Sequence, residues 1–343
     1  MVRHGDFESY CQYMIHLHTT TDATIQGLAL LLQSEYRLSP LFRDDSAAHL
    51  MTELIAKRAV EQSSDSSDAF YLWVGDTLCG VVLRYPKRFV QFGCEGDELV
   101  IALVPGDTST IEWARDKLLS MSWSRDRITV GKISAYHRTL VATLYEVGLG
   151  IDALGLIGST QRALDGLDMH QPMIADLSGF GLTVAPLDFT RIDDVVALRE
   201  RTFKSVPEYC WFGANPGHLV AHRARLVSDI KKTHAWSVIL KGDELVGHFG
   251  SAVTLNNPMW GTVGGLELYF DAELRGRGIG RFAYHQTLAT LRSHGVHTFK
   301  GITAQPPVMH LSQKMGRRLF EIHLRHDPSF QAEHFSTYLG KVL

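Results

Sequence analysis

The chain has 343 residues, 34 basic and 37 acidic side chains, a net charge of −3 and 45% hydrophobic residues. That length fits about two domains of ordinary size, and the charge balance excludes an extended nucleic-acid surface, which needs a basic excess. Cys11, Cys79, Cys94 and Cys210 are scattered without CxxC spacing, and no apolar run approaches a membrane span or a signal peptide. The expectation is a cytoplasmic chain with reduced cysteines and neither a nucleic-acid nor a membrane partner.

Taken in chain order, residues 10–18 read as a strand, and 22–36 and 45–61 as helices. A polar loop (62–68) leads to a hairpin over 69–85 that turns at Gly75-Asp76. A strand (97–106), a helix (108–123), a strand (127–135), a helix (138–148) and a strand (151–158) complete the first half. The second half opens with a strand at 181–189. Next is an amphipathic helix at 190–205, capped by Thr190 and apolar at Ile192, Val195, Val196, Leu198 and Phe203. A second helix covers 215–233 with Pro216 near its start, and the hairpin 235–255 turns at Gly242-Asp243. Strand 261–270, helix 278–294, strand 298–305, helix 307–315 and strands 318–325 and 335–342 follow, in the order βααβββαβαββ.

The two hairpins share a Gly-Asp turn with a glycine four residues later, Gly80 and Gly247. We read an internal duplication with a period of about 170 residues. The predicted organisation is a first domain over 1–165, a linker over 166–180 and a second domain over 181–343.

Between the strand 261–270 and its helix lies "RGRGIG", Arg275 to Gly280. Glycine in a first helical turn costs about 1 kcal/mol relative to alanine, so something must offset it. A helix N-terminus has unpaired N–H groups and a positive dipole, and glycines let a phosphate approach them. Arg275 and Arg277 add charge-assisted donors. The spacing is neither GxxxxGK[ST] nor a GxGxxG dinucleotide fingerprint. At the equivalent place the first half reads "VPGDTST". No arginine is there, only Gly106 is present, and Asp107 is an acid that opposes a phosphate.

The stretch Arg275, Gly278, Gly280 resembles the [QR]-x-x-G-x-[GA] acetyl-coenzyme A motif of the Gcn5-related N-acetyltransferase (GNAT) superfamily, and the element order is that family's order. The resemblance covers about 181–343 well and 10–160 more weakly. It implies an α/β (α+β) fold of two tandem GNAT-like domains, each a mixed, mostly antiparallel sheet flanked by helices, with the first copy degenerate. It implies an acetyl-coenzyme A co-substrate and no metal. The pyrophosphate would be held by Arg275, Gly276, Arg277, Gly278, Ile279 and Gly280, with Arg281 beside it. The pantetheine arm would enter where "LELYF" (Leu268, Tyr269, Phe270) and "TFKGITA" diverge, near Gln305.

For the chemistry, an amine must lose a proton before attack, since an ammonium of pKa about 10 has no lone pair. The resemblance points to a strand carboxylate as the base. Glu267 is either that base or an outward-facing strand residue. Where the family carries its tyrosine acid this chain has Ser312, with His310, Tyr284 and Tyr269 as substitutes. Glu208, Tyr209 and Trp211 are candidates to line the acceptor pocket or simply pack a loop. His218 and His222 stand at helical i, i+4 spacing without an HExxH pattern, so packing is favoured over a metal site. The implied activity is transfer of an acetyl group to a primary amine, most simply of a small molecule. The alternatives are a protein or peptide N-acetyltransferase and a non-catalytic acyl-coenzyme A-binding module.

Overall fold

The structure is a computed structural model that describes residues 21–326 apart from 40, 44, 90–93, 125, 170–176, 206–215, 231–235 and 304. The expected strands at 10–18 and 335–342, and Glu208, Tyr209 and Trp211, lie outside the described residues.

The first half begins with α1 (Thr21–Arg37) and α2 (Ser46–Ser63), the latter started by the Asp45 carboxylate, which accepts from the Ala47 and Ala48 amides. The hairpin of β1 (Ala69–Val74) and β2 (Thr77–Phe89) turns through Gly75 at φ +59°, a left-handed conformation that favours glycine. Then come β3 (Cys94–Leu103), α3 (Thr108–Ser120), β4 (Ile128–Ser134), α4 (Val141–Glu146), β5 (Gly150–Ser159) and α5 (Thr160–Met169). The second half contains β6 (Leu182–Pro186), α6 (Ile192–Lys204), α7 (Pro216–Ile230), β7 (Trp236–Lys241) and β8 (Glu244–Asn257). It continues with β9 (Gly261–Phe270), α8 (Ile279–Ser293), β10 (Thr298–Thr303), α9 (Pro306–Lys314) and β11 (Arg318–His326).

Among the described residues, eleven strands form one sheet in the order β1-β2-β3-β4-β11-β5-β10-β9-β8-β7-β6. Only β3 with β4 and β9 with β10 run parallel; the other neighbours are antiparallel. The order reads nearly the same from both ends, because β1–β4 repeat β7–β10. At the centre the halves exchange strands. β11 of the second half lies between β4 and β5, and β5 of the first half lies between β11 and β10.

The exchange is also built into the packing. Ile322 and Leu324 of β11 are fully buried in a core with Leu99, Leu118, Ile133 and Leu144 of the first half. Reciprocally, α5 buries Ala163, Leu164 and Leu167 against Tyr284, Leu288 and Leu291 of α8. The helix α5 runs to Met169, where the sequence suggested the start of a linker; its apolar stripe is short and finds its partner only in the other half.

Candidate functional site

The turn between β9 and α8 sets the geometry. Gly276 and Gly278 adopt φ +76° and +81°, and a Cβ at Gly276 would meet nothing within 4 Å. Gly278 is the N-cap and supplies no side-chain acceptor. The first amide of the helix with a backbone acceptor is Arg281, bonded to the Gly278 carbonyl at 3.0 Å, which leaves Ile279 and Gly280 donors directed outward. A Cβ on Gly280 would come no nearer than 3.9 Å to Phe270, so the approach is open. Arg275 reaches the Ser205 hydroxyl at 3.2 Å, and Arg277 is exposed. The Arg281 guanidinium donates to the Leu167 carbonyl at the end of α5.

The corresponding turn in the first half is closed by its own side chain. Asp107 caps α3, its carboxylate accepting from the Ser109 amide at 2.9 Å and the Ser109 hydroxyl at 2.7 Å. An anion already occupies that helix start.

Parallel strands near each turn also differ. β10 pairs with β9 at only three positions, Thr298–Lys300 with Val263–Gly265, and beyond them each strand, towards Thr303 and Phe270, is paired only with its other neighbour, β5 or β8. β4 pairs with β3 at five positions, up to Lys132 and Val100. Beyond that point the Leu103 amide donates to Glu35 of α1 at 3.0 Å, and the fully buried His137 contacts the same carboxylate oxygen at 2.8 Å. Side chains thus fill the space beside β3, whereas in the second half the pairing of β9 with β10 ends at Gly265 and Lys300.

Along β9 the side chains alternate. Leu266, Leu268 and Phe270 pack with the α8 side, while Glu267 and Tyr269 face α6 and α7. Three groups converge on Glu267. Arg199 of α6 donates to Oε1 at 2.8 Å, Arg225 of α7 donates to Oε2, and His222 Nε2 faces Oε1 at 3.3 Å. Both guanidinium groups also approach His222 Nδ1, at 2.5 and 3.2 Å. A guanidinium can only donate, so Nδ1 is the acceptor and the ring proton sits on Nε2, which lies 3.3 Å from Glu267 Oε1 without the geometry of a hydrogen bond. Burial disfavours the Glu267 charge, yet His222, Arg199 and Arg225 outweigh it and hold the carboxyl far below the ordinary range. Burial pushes His222 well down, and pushes His248, stacked on Trp236, down to about 4. A carboxylate so strongly held in its charged form is a weak proton acceptor.

Residues 197–316 match the model of the Acetyltransferase (GNAT) family. The match lies within the second half and includes the glycine turn before α8. The fold of the chain is similar to that of a GCN5-related N-acetyltransferase from Sphaerobacter thermophilus, with a TM-score of 0.53 and 14% identity over 90% of this chain and 93% of that one. That likeness extends over both halves. Other similar structures include a GCN5-related glucosamine N-acetyltransferase region of a fungal multi-domain GH3 β-N-acetylglucosaminidase (TM-score 0.48, 12% identity, 90% of this chain and 37% of that one). A tandem GNAT protein from the clavulanic acid biosynthesis pathway also matches (TM-score 0.41, 12% identity, 90% and 95% covered). No curated protein matches the chain by sequence.

The other candidate residues of the second half are spread over several environments. Ser312 is fully buried, and its hydroxyl accepts from Arg317 at 3.1 Å. The same guanidinium donates to the Leu156 and Gly301 carbonyls at 3.0 and 3.2 Å, lies 5.1 Å above the centroid of the Phe299 ring and reaches the Tyr284 phenol. Burial raises the Tyr284 phenol, with Arg317 opposing. Ser312 and Tyr284 therefore meet at one buried cation on the α8 side, whereas Glu267 faces the α6 side. His310 is exposed on α9, and Gln305 is the uncapped N-cap of that helix at the end of β10. Among the described residues no cluster suits a metal ion, and the His218 side chain lies outside them.

Sequence reasoning missed Arg199, Arg225 and Arg317. Arg199 left a signal: it falls on the buried stripe of α6, four residues from both Val195 and Phe203, where a cation needs a partner. Likewise His222 shares the buried line of Leu226 and Ile230 on α7.

Proposed function

We propose that the chain is an acetyl-coenzyme A-dependent N-acetyltransferase with one working site, in its second half, acting on the primary amine of a small molecule. The observation that carries this is the contrast between the helix starts. Gly278 leaves the α8 amides open, whereas Asp107 caps α3 with its own carboxylate. The glycine turn and Arg277 fit a pyrophosphate, and the gap between β9 and β10 fits a narrow arm with backbone groups on both sides. When bound, acetyl-coenzyme A supplies the activated acyl group. The chain's own part is to position donor and amine. Glu267 fixes α6 and α7 against β9 through Arg199 and Arg225, and it contributes little as a base. The amine then reacts from its neutral fraction, with its proton leaving to water.

Calorimetry with acetyl-coenzyme A is expected to give one site per chain. Gly278→Glu, which places a carboxylate at the helix start, should weaken binding at least about tenfold. Two equal sites, or affinity unchanged in that variant, would overturn the assignment. Tight binding without thiol release from any amine would favour the non-catalytic module.

A further inference from the structure

The exchange of strands creates a surface that neither half has alone. On the face shared by Glu267, the row across the seam runs from Glu321 on β11 over Gly155 on β5 to Ile302 on β10. Ile302 is 56% exposed, although it lies on a central strand of the sheet. Its strand has already parted from β9 at this level, so the exposed floor borders the gap assigned above to the acyl donor. Gly155 has a specific purpose here. A Cβ at that position would lie 2.4 Å from Glu321 Cγ, so only glycine lets the Glu321 side chain lie across β5 towards β10.

The groups around this floor are charged and of both signs. His323 Nε2 donates to Glu321 Oε1 at 3.0 Å, and Lys132 of β4 stands 3.6 Å from the same oxygen. Lys300 of β10, exposed on the same face, lies near enough to feel both Glu321 and Lys132. Together they form a carboxylate held by a histidine and one lysine, with a second lysine on the same face of β10, a net positive site with an apolar floor. A neutral or purely cationic amine would use only part of it. A molecule with an ammonium and a carboxylate a few bonds apart would use all of it: the ammonium at Glu321, the carboxylate at Lys300, and carbon on Ile302.

We propose that this seam is the acceptor site and that the acceptor is an amino acid or a similar amine bearing a carboxylate, a step that rests on the acetyltransferase reading above. The structure draws the site from both halves: Lys132 on β4 and Gly155 on β5 from the first, Lys300 on β10 and Glu321 and His323 on β11 from the second. The test uses the full chain and two readouts. Thiol release from acetyl-coenzyme A is measured with free amino acids and with their amides, and amino-acid binding is followed separately by ligand-observed NMR. The wild type should prefer the free acids by about tenfold to a hundredfold, the worth of one charge-assisted contact. Lys300→Gln should collapse that ratio towards one, and Glu321→Gln should raise KM for acids and amides alike while acetyl-coenzyme A affinity, measured on the same samples, stays at the wild-type level. Equal rates for acids and amides, or a ratio untouched by Lys300→Gln, would overturn the proposal while leaving the acetyltransferase reading intact. Amino-acid binding that is lost in Lys300→Gln, in a wild type that releases no thiol, would support the site and overturn the catalytic reading.

Discussion

Cutting the chain between its halves is the sharpest perturbation. A fragment of residues 176–343 keeps β6–β10 together but removes both neighbours of β11, namely β4 and β5, and the outer neighbour of β10. Ile322 and Leu324 lose the first-half core in which they are fully buried. Exposing a buried aliphatic side chain costs roughly 1.5–3 kcal/mol, so these two alone cost roughly 3–6 kcal/mol, against a total stability of roughly 5–15 kcal/mol for a domain. The loss of Ala163, Leu164 and Leu167 from the α8 surface adds to it, and β10 becomes an unprotected edge. Alone, the fragment is expected in the insoluble fraction or as a dimer that exchanges β11, since the sheet order offers each copy the slot vacated by β5. Co-expressed with residues 1–175 it should return as a soluble complex. Size-exclusion chromatography with light scattering reads the state, and calorimetry reads acetyl-coenzyme A affinity. A monodisperse monomer with the affinity of the full chain would refute the energetic role assigned to the exchange.

Two further outcomes follow from the buried charges. Glu267→Gln leaves Arg199 and Arg225 without their carboxylate and should cost about 3–5 kcal/mol, read as a lower urea midpoint, while the pH–rate profile keeps its shape; a lost acidic limb in a variant of undiminished stability would instead make Glu267 the base. His248 is held neutral, its value moved from 6.5 down to about 4, so the unfolded chain binds the extra proton between those values; stability should fall by about 3 kcal/mol as pH drops through that window, with Glu267 and Glu321 adding to the loss once pH falls towards and below their ordinary value of 4.5, and a urea midpoint flat from pH 7 to pH 4 would contradict the burial of this ring.

What could be read from the sequence was local. The two Gly-Asp hairpins, the period-2 strands and the glycine turn before α8 each depend on residues close together in the chain, and each stands where its pattern placed it. The exchange was not legible for a physical reason. β5 and β11 each follow a short helix in the duplicated halves, so the local order of elements is the same for either slot, and only the non-local pairing decides. The same holds for Glu267. Its strand position was evident, but its charge state is set by Arg199 and Arg225, which arrive from helices whose docking no pattern in β9 encodes. This separates two roles for the first half. Its own helix start is capped by Asp107 and the space beside β3 is filled by Glu35 and His137, yet β5 remains hydrogen-bonded along β10 from Thr298 to Thr303. The strand that borders the proposed donor gap is therefore supported from outside by the first half, and a substitution at Gly155 that pushes Glu321 away is expected to act on the proposed acceptor site without touching any residue of the second half's sequence.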